Sequence, residues 1–196
     1  PEIRALRAYQ VPDATRLIKL DAMENPYGWP DALKSEWLEV LRGAELNRYP
    51  DPQGRQVQEA LREAMGIPDG MGLLLGNGSD ELIQMLALTL AHPGRKVLSV
   101  DPGFVMYRMI ALFAGMEYLG VPLRAGDFGL DLPAILEALE RECPALTFIA
   151  YPNNPTGNLF DAGAIAEIVA AAPGLVIVDE AYAPFTDQSF LARLGE

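Results

Sequence analysis

Apolar residues in this chain follow two alternating rhythms. Short continuous runs, Leu73-Leu-Leu75, Lys96-Val-Leu-Ser-Val100, Leu146-Thr-Phe-Ile-Ala150 and Leu175-Val-Ile-Val178, are bounded by glycine, proline, asparagine or aspartate and read as buried strands. Glu117 to Leu123 adds another. Between them the apolar positions recur at helical spacing. Leu82, Ile83, Leu86 and Leu90 predict a helix from Glu81 to Leu90, and Phe104 to Ala114 and the alanine-rich Asp161 to Ala171 predict two more. Asp131-Leu-Pro133 opens a helix running through Leu136, Leu139 and Glu140, with its proline at an early position where no amide is lost. Upstream, Leu33, Trp37, Val40 and Leu41 share one helical face behind Asp31, a candidate N-cap. The helix from Gly54 to Met65 ends at Gly66, a suitable C-cap. Strands alternating with helices predict an α/β fold with a largely parallel sheet covered on both faces.

Residues 1–30 lack this rhythm. Pro12, Pro26 and Pro30 surround one short strand candidate, Leu17-Ile-Lys-Leu20, so an extended N-terminal arm is expected over 1–30 and a single α/β domain over 31–196. Fifteen basic against 27 acidic residues give a net charge of −12, which argues against nucleic acid or an anionic membrane as partner and means that any anion site must be built locally. No uninterrupted apolar stretch approaches the roughly 20 residues of a membrane helix, and the N-terminus has no apolar signal core; a cytoplasmic protein is expected. Cys143, the only cysteine, excludes an internal disulfide and is expected as a small buried residue near a helix end. His92, the only histidine, sits in a Pro-Gly turn and offers no metal site.

The chemistry concentrates after the third and fourth central runs. Tyr151-Pro-Asn-Asn-Pro-Thr-Gly-Asn158 follows a buried strand with two prolines that stiffen the path and a glycine, Gly157, that admits a backbone angle denied to other residues. Such a platform at the C-terminal end of a strand lies where open α/β sheets bind ligands, and Asn154 would project from it as a fixed donor and acceptor. Asp179-Glu-Ala-Tyr182 follows the next strand. A carboxylate there is costly unless it meets a positive partner. If the two strands are parallel neighbours, Asn154, Asp179 and Tyr182 converge on one ligand; the alternative is a structural turn and a surface acid.

Gly76-Asn-Gly-Ser-Asp80 joins Leu73-Leu-Leu75 to the next helix, so free main-chain amides and the positive end of a helix dipole surround an anion there. A dinucleotide motif would need glycine where Glu81 stands. Gly78, Ser79 and Asp80 are therefore read as a cradle for one phosphate, against the alternative of an ordinary helix start capped by Ser79.

Asn154-Pro-Thr-Gly157 together with Asp179-Glu-Ala-Tyr182 resembles the fold-type I aminotransferases, enzymes that use pyridoxal 5′-phosphate (PLP). The resemblance implies the large PLP-binding domain of that fold. It implies that Asn154 and Tyr182 hydrogen-bond the cofactor's phenolic oxygen, that Asp179 pairs with its protonated ring nitrogen, that Phe104 lies on the ring and that Gly78, Ser79 and Asp80 hold the phosphate. Asp179 and Tyr182 would be the catalytic groups. Core packing of the helix is the competing reading for Phe104 and for Tyr107, one turn on, and for Tyr107 it is preferred to the pocket. Tyr49, in Arg48-Tyr-Pro-Asp51, matches a tyrosine that crosses a homodimer interface to the partner's phosphate, although a turn tyrosine covering the next helix explains it equally. Leu20-Asp-Ala-Met-Glu-Asn-Pro-Tyr-Gly-Trp-Pro30 resembles the signature of the histidinol-phosphate aminotransferases, with Met23 in place of a common asparagine. Tyr9 matches a substrate-pocket tyrosine of that subfamily, or else packs on a neighbour. The implied reaction passes the amino group of glutamate to imidazole acetol phosphate, two small-molecule substrates.

That family also uses a lysine that binds the cofactor covalently and moves a proton. Lys19, Lys34 and Lys96 are the only lysines and none stands in the family's context. The chain is thus expected to be an N-terminal portion that does not turn over alone. A phosphothreonine-type decarboxylase or an aromatic aminotransferase of the same fold, or a non-catalytic ligand-binding module, are the alternatives.

Overall fold

The computed structural model describes residues 15–18 and 24–195. They divide between two compact units that meet in sequence at Gly66 and Ile67. The first unit contains α1 (Asp31–Arg42) and α2 (Arg55–Met65), neither of which buries a residue. Pro30, not Asp31, is the N-cap of α1: its extended backbone leads into the helix, and the Asp31 carboxylate pairs instead with Lys34 at 3.0 Å from within the first turn. Asp51 closes the entry to α2 by accepting from the Gln53 and Arg55 amides, and Gly66 ends α2 at φ 62° with the left-handed cap expected of it. Of the predicted Leu17–Leu20 strand, the described residues Leu17 and Ile18 are a bend and an irregular position, not strand, and the remainder lies outside the described residues.

The second unit is built on four parallel strands, β1 (Lys96–Asp101), β2 (Glu117–Pro122), β3 (Leu146–Ala150) and β4 (Leu175–Asp179), in the order β2-β1-β3-β4. Its helices are α3 (Ser79–Leu90), α4 (Val105–Phe113), α5 (Leu132–Glu142) and α6 (Ala162–Ala171). Alternation along the strands sorts side chains to two cores. Val97, Leu146, Phe148 and Ala150 pack with Ile83 of α3 and Tyr107 and Ile110 of α4. Leu98, Val100 and Ile149 pack with Ile135 and Leu139 of α5 and Ile165 and Ile168 of α6. Each fully buried side chain of this size contributes about 1.5–3 kcal/mol, and all five residues of β3 are buried, which makes it the spine of the unit. The predicted α/β architecture with both faces covered is what forms.

Asp131 and Asp161 cap α5 and α6 by accepting from the amides three residues on. Two expectations fail locally. Leu73–Leu75 takes no regular secondary structure and pairs with none of the four described strands, and Leu74 is left exposed. Cys143 is exposed, not buried: it occupies the C-cap of α5 at φ 45°, where the chain turns outward, and its thiol reaches only the Glu140 carbonyl.

Candidate functional site

The order β2-β1-β3-β4 reverses direction between β1 and β3, so the loops leaving these neighbours diverge and open a crevice at their C-terminal ends. Asn153 ties the two loops together. Its side chain is fully buried, and its Nδ2 donates to the Pro102 carbonyl at 3.1 Å and to Thr156 Oγ1 at 2.7 Å. Gly157, at φ 72°, donates to the Asn153 carbonyl at 2.8 Å, closing the platform as the sequence requires. Asn158 anchors its far end on the Phe128 carbonyl.

β3 and β4 are parallel neighbours with Ala150 opposite Asp179, and the Tyr151 amide carries the ladder one step further onto the Asp179 carbonyl. This register brings the two motifs to one level. Asn154 Nδ2 donates to the Tyr182 hydroxyl at 3.3 Å. Both carboxylate oxygens of Asp179 are engaged, Oδ2 by the Tyr107 hydroxyl at 2.7 Å and Oδ1 by the Ala181 amide at 3.0 Å. Among the described residues Asp179 makes no ion pair, so its charge is met by neutral donors alone.

These groups line a half-open cavity of about 180 Å³ together with Ser79, Phe104, Ala150 and Ala181. Ser79 opens α3, whose N-cap is Gly78 at φ 89° and ψ 164°, a conformation that only glycine adopts without strain. No side chain of the described residues caps this helix; Glu81 instead reaches back to the Asn77 amide at 2.5 Å, and Ser79, the first residue of the helix, lines the cavity. The donor set is thus an anion at the floor, an amide and a phenol to one side, an aromatic wall and a helix N-terminus. It suits a flat heteroaromatic cation that carries a phosphate.

Of the residues singled out from sequence, Ser79, Phe104, Asn154, Asp179 and Tyr182 share this cavity. Gly78 adjoins it as the N-cap of α3. Asp80 does not line it but a neighbouring depression; burial first, and then the charge of Asp179, raises its carboxyl above the ordinary range. Tyr49 is fully exposed in the other unit, and Tyr9 lies outside the described residues. Sequence reasoning assigned Tyr107 to the core, where it is, 1% exposed and stacked on Phe148 at 4.7 Å, but missed that its hydroxyl ends on Asp179. Its place one turn after Phe104 was the available signal. Asn153 was also missed, since nothing in the pair Asn153-Asn154 tells which amide is buried.

Residues 15–195 match the family model described as aminotransferase class I and II. A histidinol-phosphate aminotransferase of Thiocapsa roseopersicina is 73% identical over 179 residues, 91% of this chain and 95% of that one. Histidinol-phosphate aminotransferase 2 of Nitrosococcus oceani is 57% identical over the whole of this chain, which spans 54% of its length. Among solved structures, the histidinol-phosphate aminotransferase from Clostridium acetobutylicum superposes with a TM-score of 0.74 at 25% identity, over 86% of this chain and 49% of that one. The enzyme from Sinorhizobium meliloti, solved in complex with pyridoxal-5′-phosphate, gives 0.67 at 27% identity, over 76% and 41%. The chain belongs to the class I and II aminotransferases, and within them to the histidinol-phosphate aminotransferase family.

Proposed function

We propose that this chain supplies the cofactor-binding face of a PLP-dependent transaminase that exchanges an amino group between glutamate and imidazole acetol phosphate, giving histidinol phosphate, in histidine biosynthesis. The observation that carries the reading is the cavity in which Asp179, unpaired by any basic side chain among the described residues, meets Asn154, Tyr182, Phe104 and the start of α3. When bound, PLP supplies a carbonyl that takes up the amino group and a cationic ring that withdraws electrons from the substrate carbon.

Asp179 is the group to hold the protonated ring nitrogen, because a fixed anion favours the cationic form of its partner. The Asn154 amide and the Tyr182 hydroxyl are the donors for the phenolic oxygen, and their contact at 3.3 Å keeps both at the same place. Phe104 provides an apolar wall that excludes water from one side. Ser79 and the first amides of α3, after Gly78, are the phosphate site. Asp80 contributes its main-chain amide, since its carboxylate would repel an anion.

Residues 1–30 as an arm, 31–196 as part of the large PLP domain, Tyr9 as a substrate contact and Tyr49 as a phosphate contact across a homodimer belong to the same proposal, as does a cytoplasmic location. The large domain and the two tyrosine roles come from the family resemblance, the arm and the location from the pattern of the sequence.

Titrating the chain with PLP and following visible absorbance tests the reading. Saturable binding that Asp179→Ala lowers at least tenfold, with the variant still melting cooperatively, supports it. Binding indifferent to Asp179, or none by the folded chain, would remove it.

A further inference from the structure

Tyr107 is the least explained group around the cavity. A buried hydroxyl must find a partner, yet the nearest carboxylate is the one reserved above for the cofactor, and the bond to it is short at 2.7 Å. The ring cannot swing away. It is 1% exposed, stacked on Phe148 with planes 11° apart, and met edge-on by Phe104 at 5.4 Å. Only the hydroxyl hydrogen retains freedom, and its direction is set by Asp179 Oδ2. With the Ala181 amide on Oδ1, the carboxylate has one fixed donor on each oxygen.

We propose that Tyr107 is a positioning residue that acts through Asp179: its hydroxyl fixes the carboxylate in the orientation that receives the cofactor's ring nitrogen. The inference rests on the reading given under Proposed function. A phenol suits this task for two reasons. An arginine or lysine would orient the acid equally well but would cancel the charge that draws a cationic ring. A phenol orients without cancelling. Burial, and then the charge of Asp179, pushes the Tyr107 phenol well above its usual range, so it stays a donor throughout the working pH. The arrangement also joins the two sides of the cavity, because Phe104, the wall residue, packs on the ring whose hydroxyl sets the floor.

A purely structural role for Tyr107 would make the same contacts, so the test must separate the two. Tyr107→Phe keeps the stacked ring and removes only the donor. Affinity is measured by titration for PLP and for 1-deazapyridoxal 5′-phosphate, whose ring offers Asp179 no nitrogen. Loss of a hydrogen bond to a charged group predicts about tenfold weaker PLP binding, with the deaza analogue unchanged. Equal weakening of both ligands, or no weakening of PLP, would overturn the inference while leaving the cofactor reading intact. Failure of the unsubstituted chain to bind PLP would instead remove the cofactor reading and this inference with it. Should Tyr107→Phe melt early, 3-fluorotyrosine at position 107 keeps the shape and strengthens the donor. The preference for PLP over the analogue must then rise, and an unchanged preference overturns the proposal.

Discussion

Asn153 and Asn154 are neighbours with different partners. Asn153 is fully buried and binds the Pro102 carbonyl and Thr156, whereas Asn154 lines the cavity and donates to Tyr182. Asn154→Ala should therefore weaken PLP binding about tenfold with little change in melting temperature. Asn153→Ala should destabilise the fold by about 1–3 kcal/mol by orphaning buried partners. Absorbance titration and urea melts read the two effects, and exchanged phenotypes would contradict the assignment. At this scale the sequence was most legible where a residue type has one use. Asp179 at the end of an apolar strand demanded a partner, although that strand proves only half-buried, and Gly157 demanded a turn with positive φ, which it has. The spacing from Phe104 hinted at Tyr107, but the partner of its hydroxyl was not legible, since it lies 72 residues away and depends on how α4 packs against β4.

Elements were read correctly where periodicity and caps agreed, and lost where an element depended on its neighbours. Asp161 satisfies the first amides of α6 within its own turn, a local matter that sequence reveals. Leu73–Leu75 has the composition of a strand, but a strand exists only beside another, and no sequence window contains that information. A similar long-range link joins the last turn of α5 to the start of β1, where Lys96 Nζ lies 2.7 Å from Glu142 Oε2 and Arg141 Nε 2.7 Å from Oε1. Lys96 first, then Arg141, lowers the Glu142 carboxyl from 4.5 to about 2. A carboxylate whose pKa is depressed on folding stabilises above its unfolded pKa, and that contribution fades as pH falls through the folded value. The stability difference between the natural chain and Glu142→Gln should thus be constant above pH 4.5 and shrink towards pH 2. Urea midpoints across that range measure it, and a difference that does not vary with pH would show that the pair contributes nothing.

At the scale of the molecule, the parallel order β2-β1-β3-β4 turns separate motifs into one site. Phe104 follows β1, Asn154 follows β3, and Asp179 and Tyr182 follow β4, so their meeting depends on which strands are neighbours and in what register. The sequence supplied the conditional, that Asn154 and Asp179 converge if their strands are parallel neighbours; β3 and β4 fulfil it. The overall charge of −12 gives no general attraction for a phosphate, so a phosphate site has to be built locally, as proposed for the amides at the start of α3. In the proposed function this crevice holds PLP with its ring nitrogen protonated on Asp179. The ¹⁵N chemical shift of ring-labelled PLP bound to the chain at neutral pH tests it most directly. The expected shift is that of a protonated pyridinium, moving to the unprotonated position in Asp179→Asn; an unprotonated nitrogen in the natural chain, or a shift that Asp179→Asn leaves unmoved, would rule out this role of Asp179.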